Sequence, residues 1–225
     1  MSKTFFVTGT DTEVGKTAIS CALLSAAASQ GLETAAVKPV AAGCDERGQN
    51  EDALQLMTAM TAELDYCQVN PVALEPAIAP HIAAAQAGKT LQASRLAGLC
   101  RGVMLAGADF TLMEGAGGWR VPISPRETLA DRAVQLDVPV ILVGGMRLGC
   151  INHALLTAEA IRHDGLNVAG WVANQPAGLM NCYQENFDTL QRLLPAPCLG
   201  EVSHLSPWDA GRAAEMLDLS VLRIK

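Results

Sequence analysis

The chain has 225 residues and a formal net charge of −7, with 16 lysine and arginine residues against 23 aspartate and glutamate residues. This acidic balance argues against nonspecific binding to DNA or to an anionic membrane, because both need a concentrated positive surface. Half of the residues are hydrophobic but only 4% are aromatic, so we expect a core of alanine, leucine, valine and isoleucine, and no stretch is apolar for long enough to span a membrane.

The seven cysteines are scattered along the chain, and no two of them have the spacing of a zinc site or a C-x-x-C motif. Reduced thiols in a reducing compartment are therefore expected. The first residues, MSKTFFVTG, contain neither a long apolar run nor a cleavage-like segment. These features predict a cytoplasmic protein without a membrane or nucleic-acid partner.

Short apolar segments alternate with helical patterns along the chain. Strands are predicted at residues 5–8, 34–40, 109–114, 139–143, 168–173 and 198–202. Helices are predicted at residues 16–30, 52–60, 91–105 and 151–163 and from about residue 181, with a proline-rich connection at residues 71–80. This alternation predicts an α/β fold in a single domain, residues 1–225, with a mostly parallel sheet and helices on both faces.

The first predicted strand leads into the segment VTGTDTEVGKT, residues 7–17, which ends like a phosphate-binding loop. Five residues separate Gly9 from Gly15, where the usual pattern has four. Between a strand and a helix, backbone N–H groups can hold phosphate oxygens, Lys16 can neutralise the β- and γ-phosphates, and the Thr17 hydroxyl can reach Mg²⁺. The alternative is an ordinary strand-to-helix turn that ends in a surface lysine.

Two further charged residues stand at the ends of predicted strands. Glu114 ends the strand at residues 109–114 and is followed by Gly-Ala-Gly-Gly, and ligands of an open parallel sheet gather at such carboxyl ends. Lys38 precedes a proline and would face the same crevice as Lys16. Two lysines suit chemistry in which negative charge builds up on several oxygens. The alternatives are an acidic residue that begins a flexible turn and a solvated lysine at a strand end.

Together these motifs resemble the dethiobiotin synthetase family. The matching segments run from about residue 5 to residue 202: VTGTDTEVGKT, KPV, EDALQL, NPVAL, APHIAA, MEGAGGW, PVILV, LGCINHALLTAEAI, GWVAN and PAPCLGEV. The resemblance implies a P-loop NTPase-like fold, a homodimer, ATP as co-substrate and Mg²⁺ as cofactor. It also implies a cyclo-ligase of biotin synthesis that joins 7,8-diaminononanoate (7,8-diaminopelargonate) and CO₂ into the ureido ring of dethiobiotin, giving ADP and phosphate through a carbamate and a carbamic–phosphoric anhydride.

The resemblance also implies a role for each matching residue. Lys16 and Lys38 would be catalytic, and Thr17, Asp52 and Glu114 would bind Mg²⁺. The implied ATP site contains Glu13, Val14, Gly15, Lys16, Thr17, Ala18, Asp52, Glu114, Gly115, Ala116, Gly117, Asn174, Gln175, Ser203, His204 and Leu205. The implied substrate site contains Thr12, Lys38, Ala42, Gly118, Gly149, Cys150, Ile151 and Asn152. The helix that starts at Gly149 to Asn152 would bind the substrate carboxylate across the dimer interface.

The chain departs from the family pattern at a few positions. Ala42 stands where many members carry serine, Gln175 where aspartate is common, and Asn186 where a tyrosine is expected. Ser203 and His204 replace a common Pro-Trp pair. Ala42 and Asn186 leave open a related ligase that acts on a different diamine or carboxylate. A regulatory or partitioning ATPase of the same fold is a second alternative, and it would need neither Lys38 nor the LGCINH segment.

Overall fold

The computed structural model describes residues 3–224, which form eight strands and nine α-helices. In chain order the strands are β1 (Lys3–Gly9), β2 (Thr34–Val37), β3 (Val40–Ala42), β4 (Val72–Leu74), β5 (Phe110–Glu114), β6 (Val140–Gly145), β7 (Val168–Asn174) and β8 (Cys198–Val202). The helices are α1 (Lys16–Ser29), α2 (Glu51–Ala59), α3 (Tyr66–Val69), α4 (Pro80–Gln86), α5 (Ala93–Met104), α6 (Leu129–Leu136), α7 (Cys150–His163), α8 (Tyr183–Leu193) and α9 (Ala210–Ala214). A 3₁₀-helix follows at Ser220–Leu222.

The main sheet has six strands in the order β2-β5-β1-β6-β7-β8, and every neighbouring pair is parallel. Because side chains alternate across a strand, Phe5 and Val7 of β1 enter the core beneath α1, whereas Phe6 enters the core on the opposite face with residues of α5 and α6. The predicted α/β fold, a mostly parallel sheet with helices on both faces, is therefore confirmed.

The predicted strand at residues 34–40 is wrong in its length, because it divides at Lys38 and Pro39. The chain leaves the main sheet after Val37 and enters β3, which pairs with β4 in a separate two-stranded parallel sheet. Lys38 is fixed at this break, since its backbone N–H donates to Val69 O at 2.8 Å and its carbonyl accepts from Asn70 Nδ2 at 2.6 Å. The backbone of Lys38 is therefore held by hydrogen bonds on both sides where the chain leaves the main sheet.

The proline-rich connection contains regular structure that the sequence did not reveal. It holds β4, and it ends where α4 begins with Pro80 in its first turn, a position where a proline needs no hydrogen bond from its own nitrogen. Helix α6 lies between β5 and β6 and was also missed. Among residues 3–224, no helix combines the length and the apolar character that a membrane crossing requires.

Candidate active site

The lengthened loop between β1 and α1 has the geometry of a cradle for an anion. Its last residue before the helix, Gly15, has φ of +83°, a left-handed conformation that favours glycine. A Cβ atom at Gly15 would collide with the Nδ2 atom of Asn174. Helix α1 starts at Lys16, so the N–H groups of its first turn have no partners within the helix. A glycine is therefore required where the chain turns into the helix.

The loop is held in place by the ends of two neighbouring strands. Thr10 donates its N–H to Val143 O of β6 at 3.0 Å, and Asn174 at the end of β7 donates through Nδ2 to Val14 O at 2.8 Å. The Lys16 ammonium donates to the carbonyl of Asp11 at 3.2 Å. Burial lowers the pKa of Lys16 below the usual lysine value, although the charge of Glu114 acts in the opposite direction. The loop thus presents a buried cation over the carboxyl edge of the sheet.

Beside this loop, Lys38 joins two carboxylates. Its Nζ atom lies 2.7 Å from Glu114 Oε1 and 2.7 Å from Asp52 Oδ2. The side chains of Lys38 and Glu114 are 5% and 0% exposed, whereas that of Asp52 is 43% exposed. Burial opposes the charge on Lys38, but Glu114 and Asp52 outweigh it and raise the pKa of the ammonium. Burial would likewise raise the pKa of Asp52, but Lys38 more than offsets it and the pKa is lowered.

Three oxygen-bearing side chains converge here from different elements, in a set that suits Mg²⁺. Thr17 in the first turn of α1 donates its hydroxyl to Glu114 Oε1 at 2.7 Å, and Asp52 approaches from the first turn of α2. Within residues 3–224, Glu114 Oε2 is a buried oxygen without a hydrogen-bond partner. No group of three or more acidic, histidine or cysteine side chains in that range could hold a metal by itself. Mg²⁺ commonly binds through one or two carboxylates together with substrate phosphates, so the residues present fit this ion.

A cavity of about 740 Å³ lies above this cluster. Eleven of the predicted site residues line it: Thr12, Glu13, Gly15, Lys16, Thr17, Ala18, Lys38, Ala42, Asp52, Ala116 and Gly117. Both predicted catalytic lysines thus share one cavity with the lengthened loop. Glu114 lies beneath it and contacts Lys38 and Thr17.

Six further lining residues were not predicted: Gln55, Ala77, Ile78, Ala79, Pro80 and Val121. Gln55 follows Asp52 by three positions on α2, so helical spacing could have indicated it. Residues 77–80 are consecutive lining residues that precede and begin α4. No charge or spacing in the sequence marks them, because an irregular segment has no periodic pattern.

Three predicted residues of the glycine-rich turn and the loop pack below the cavity without lining it. Val14 belongs to the hydrophobic core. Gly115 packs on the Phe6 ring, since a Cβ there would lie 3.1 Å from Phe6 Cζ. A Cβ at Gly118 would lie 3.5 Å from Gly9 O. These residues therefore support the backbone around the cavity.

The last five residues of the implied ATP site, Asn174, Gln175 and residues 203–205, lie at the ends of β7 and β8, outside this cavity. Asn174 and Gln175 are buried, and Gln175 donates its N–H to Val202 O at 2.9 Å. The exposed Ser203 donates its hydroxyl to Met216 Sδ at 3.7 Å. His204 is exposed with Nδ1 2.9 Å from Pro176 O, and the half-buried Leu205 packs against the core. Asn174 connects this group to the phosphate loop through Val14.

The start of α7 also lies outside the cavity of its own chain. Gly149 caps the helix with φ of +95°, and the buried Cys150 lies with Sγ 3.9 Å from Asn186 Oδ1. Ile151 packs against the core between α7 and α8, while Asn152 is exposed. The preceding Leu148 is 95% exposed. In one chain, the predicted carboxylate site is therefore separate from the two lysines.

Comparisons with known proteins add a family to this geometry. Residues 3–212 match a family model described as an AAA domain. The chain is 57% identical over 223 residues to the ATP-dependent dethiobiotin synthetase BioD of Cellvibrio japonicus, covering 98% of this chain and 97% of that protein. It is 54% identical over 218 residues to the protein of that name in Marinobacter nauticus, covering 95% of this chain and 93% of that protein.

Among solved structures, the fold is similar to that of a chain in the MinC:MinD cell division protein complex of Aquifex aeolicus. The TM-score is 0.60 at 12% sequence identity, and the match covers 99% of this chain and 94% of that chain. At this identity the likeness shows a shared fold alone.

Proposed function

Because the chain belongs to the family of ATP-dependent dethiobiotin synthetases, we propose that it catalyses the ATP-dependent synthesis of dethiobiotin in biotin biosynthesis. The observation that carries this proposal is the meeting of Lys16, Lys38, Thr17 and Glu114 at the floor of one cavity. The substrates would be 7,8-diaminononanoate, CO₂ and ATP. The products would be dethiobiotin, ADP and phosphate.

The proposed reaction has three bond-forming steps. One amine of the diamine bonds to the carbon of CO₂ and loses a proton, which gives a carbamate. A carbamate oxygen then attacks the γ-phosphorus of ATP and ADP leaves, so that a carbamic–phosphoric anhydride forms. The second amine attacks the carbamoyl carbon and loses a proton, phosphate leaves, and the ureido ring closes.

The lysines suit this chemistry because carbamate and triphosphate are both anions that must approach each other. Lys16 lies at the start of α1 beside the loop, where it would contact phosphate and carbamate oxygens together. Lys38 shares the Glu114 Oε1 acceptor with Thr17 and would offset charge on the carbamate, with Thr12 and the backbone near Ala42 as further contacts. Residues 77–80 also line this cavity.

We further propose that Thr17, Asp52 and Glu114 hold Mg²⁺ in the active enzyme. The buried and unpartnered Oε2 atom of Glu114 supports this assignment among the described residues. A bound Mg²⁺ would offset phosphate charge and orient the γ-phosphoryl group. The acceptors in this set are oxygens, as this ion prefers.

The residues at the ends of β7 and β8 would bind the base, and the start of α7 would bind the substrate carboxylate. The amide of Asn174 would read adenine, with Gln175 and residues 203–205 nearby. The start of α7 would bind the carboxylate of a substrate held by the neighbouring subunit of a homodimer. The 95% exposure of Leu148 beside this helix supports an interface there. A cytoplasmic location also stays a prediction, in keeping with seven free cysteines.

The test is incubation with Mg²⁺, ATP, 7,8-diaminononanoate and isotopically labelled bicarbonate. We expect label in a cyclic urea and phosphate release that depends on the diamine. Lys16→Met should abolish both, whereas Lys89→Met, at an exposed lysine outside this cavity, should leave both unchanged. Phosphate release without the diamine and without labelled product would refute the ligase and favour a regulatory ATPase. Labelled product from another diamine only would point to a different substrate.

A further inference from the structure

Asp11 is the second of the five residues between Gly9 and Gly15, and it makes three polar contacts. Its Oδ2 atom accepts from Arg147 Nη2 at 2.6 Å, and its Oδ1 atom accepts from the N–H of Thr12 at 2.7 Å. Its carbonyl accepts from Lys16 Nζ at 3.2 Å. One residue thus links an arginine, the next loop residue and a catalytic lysine.

Arg147 reaches Asp11 from a distant part of the chain, since 136 positions separate the two residues. It follows β6 by two positions and precedes the cap of α7 by two. The loop is anchored to β6 immediately before this contact, because Thr10 bonds to Val143 O at 3.0 Å and to Gly145 N at 3.4 Å. The Asp11–Arg147 pair extends this anchoring to the segment that leads into α7.

Thr12 lies next to the pair and faces the glycine-rich turn after β5. A Cβ atom at Gly117 would lie 3.6 Å from Thr12 Oγ1. Thr12 therefore stands between the anchored residue Asp11 and the turn that follows Glu114. A displacement of Asp11 would move Thr12 and the acceptor of Lys16 at the same time.

We propose that Asp11 and Arg147 are a positioning pair that fixes the lengthened loop and thereby sets the positions of Thr12 and Lys16. This inference rests on the proposed function for its kinetic consequences. The two side chains are 47% and 48% exposed, and exposed ion pairs contribute little to overall stability. The effect of the pair is therefore expected in the order of the loop and in turnover, with little change in unfolding.

Arg147 also balances the charge of Asp11. Without it, an unpaired carboxylate would lie beside a loop that has to bind anions. Removal of both charges should then lower turnover less than removal of the Arg147 charge alone. If only the contact mattered, the double variant would be as impaired in turnover as Arg147→Ala, so the comparison of these two variants distinguishes charge balance from the simple loss of a contact.

The test compares Arg147→Ala, Arg147→Lys, Asp11→Asn and the double variant Asp11→Asn/Arg147→Ala, with Arg95→Ala, at an exposed arginine of α5, as the matched control. The first measurement is hydrogen exchange of a peptide covering residues 9–16, without nucleotide or diamine. Since an exposed pair shifts a local equilibrium by up to about fivefold, we expect exchange about threefold to fivefold faster in Arg147→Ala. Arg147→Lys and the control should stay within about twofold of the unchanged protein.

The second measurement is steady-state kinetics. We expect kcat/KM for the diamine to fall about tenfold in Arg147→Ala through misplacement of the loop. The KM for ATP should change by less than about threefold and the unfolding midpoint by less than about 2 °C. Arg147→Lys should keep most of the kcat/KM for the diamine that Arg147→Ala loses. The double variant should have a higher kcat/KM for the diamine than Arg147→Ala.

Unchanged hydrogen exchange of residues 9–16 in Arg147→Ala would overturn the proposal. It would also be overturned if Arg147→Lys lost as much kcat/KM for the diamine as Arg147→Ala. A loss of turnover that parallels a large fall in the unfolding midpoint would also overturn it. If the unchanged protein makes no dethiobiotin, the proposed function fails, and the exchange experiment still decides whether the pair orders the loop.

Discussion

Replacement of Lys38 by methionine should destabilise the fold as well as the reaction. The substitution keeps an unbranched apolar stem but removes the ammonium that lies 2.7 Å from Glu114 Oε1. The Glu114 side chain is 0% exposed, so its carboxylate would stay buried without the ammonium that is bonded to it. Removal of one partner of a buried pair typically costs about 3–5 kcal/mol. At about 2–4 °C per kcal/mol for a chain of this size, the unfolding midpoint should fall by about 10 °C.

Urea unfolding at neutral pH, monitored by circular dichroism, measures this loss directly. Lys38→Met/Glu114→Gln removes both buried charges and should recover the stability to within about 2 kcal/mol of the unchanged protein. Asp52→Asn is the matched control, because the Asp52 side chain is 43% exposed and its loss should cost less than about 1 kcal/mol. If Lys38→Met unfolds at the same urea concentration as Asp52→Asn, the reasoning about the buried pair is refuted.

Three further predictions concern residues around and below the site. Gly15→Ala would strain a backbone with φ of +83° and place a Cβ atom against Asn174. Fluorescence titration should therefore give an affinity for an ATP analogue that is at least about tenfold weaker. Unchanged affinity would contradict this. Arg132 is 0% exposed; its Nη1 atom contacts Cys100 Sγ at 3.7 Å and its guanidinium lies over the Phe6 ring, but its Nε and Nη2 atoms have no partner among residues 3–224. Arg132→Met should therefore raise the free energy of unfolding in urea by about 1–3 kcal/mol, and a decrease would show that the buried cation is stabilising. Burial raises the pKa of the Cys21 thiol from 9.0 to about 12, so the folded state loses stability as pH rises above 9. Between pH 8 and pH 10.5, the free energy of unfolding of Cys21→Ala should fall by about 2 kcal/mol less than that of the unchanged protein. Equal losses would refute the assignment.

The sequence was sufficient for the main sheet because its strands are short apolar segments, some of which end in predicted site residues. Glu114 ends β5, Asn174 ends β7, and parallel pairing brings such ends to one edge of the sheet. Helix α6 was missed because Arg132 occupies its buried face, which interrupts the apolar pattern that identifies a helix. Helix α4 was missed because only seven residues form it, and it begins with the third of three prolines in a short segment.

The site could be predicted only where chemistry and spacing coincide in a local segment. Lys16 and Thr17 follow from the loop motif, and Lys38 from its place at a strand end. The contact of Asp11 with Arg147 joins residues 136 positions apart, and an exposed arginine before a helix has no distinguishing pattern. The break after Val37 was missed because a valine and two alanines follow Lys38 and Pro39, and these continue to look like one strand.

The pKa values of the two lysines in the cavity are shifted in opposite directions, because their surroundings differ. Lys16 has a lowered pKa, since burial is only partly compensated and its ammonium donates to a neutral carbonyl. Within residues 3–224 this ammonium forms no salt bridge with a carboxylate, so an incoming triphosphate would not have to displace one. Lys38 has a raised pKa because Glu114 and Asp52 already surround it, so an anion must compete with two carboxylates for it. We infer that Lys16 supplies the attraction for nucleotide, whereas Lys38 holds the two carboxylates in register and turns to the carbamate only when these carboxylates acquire another partner.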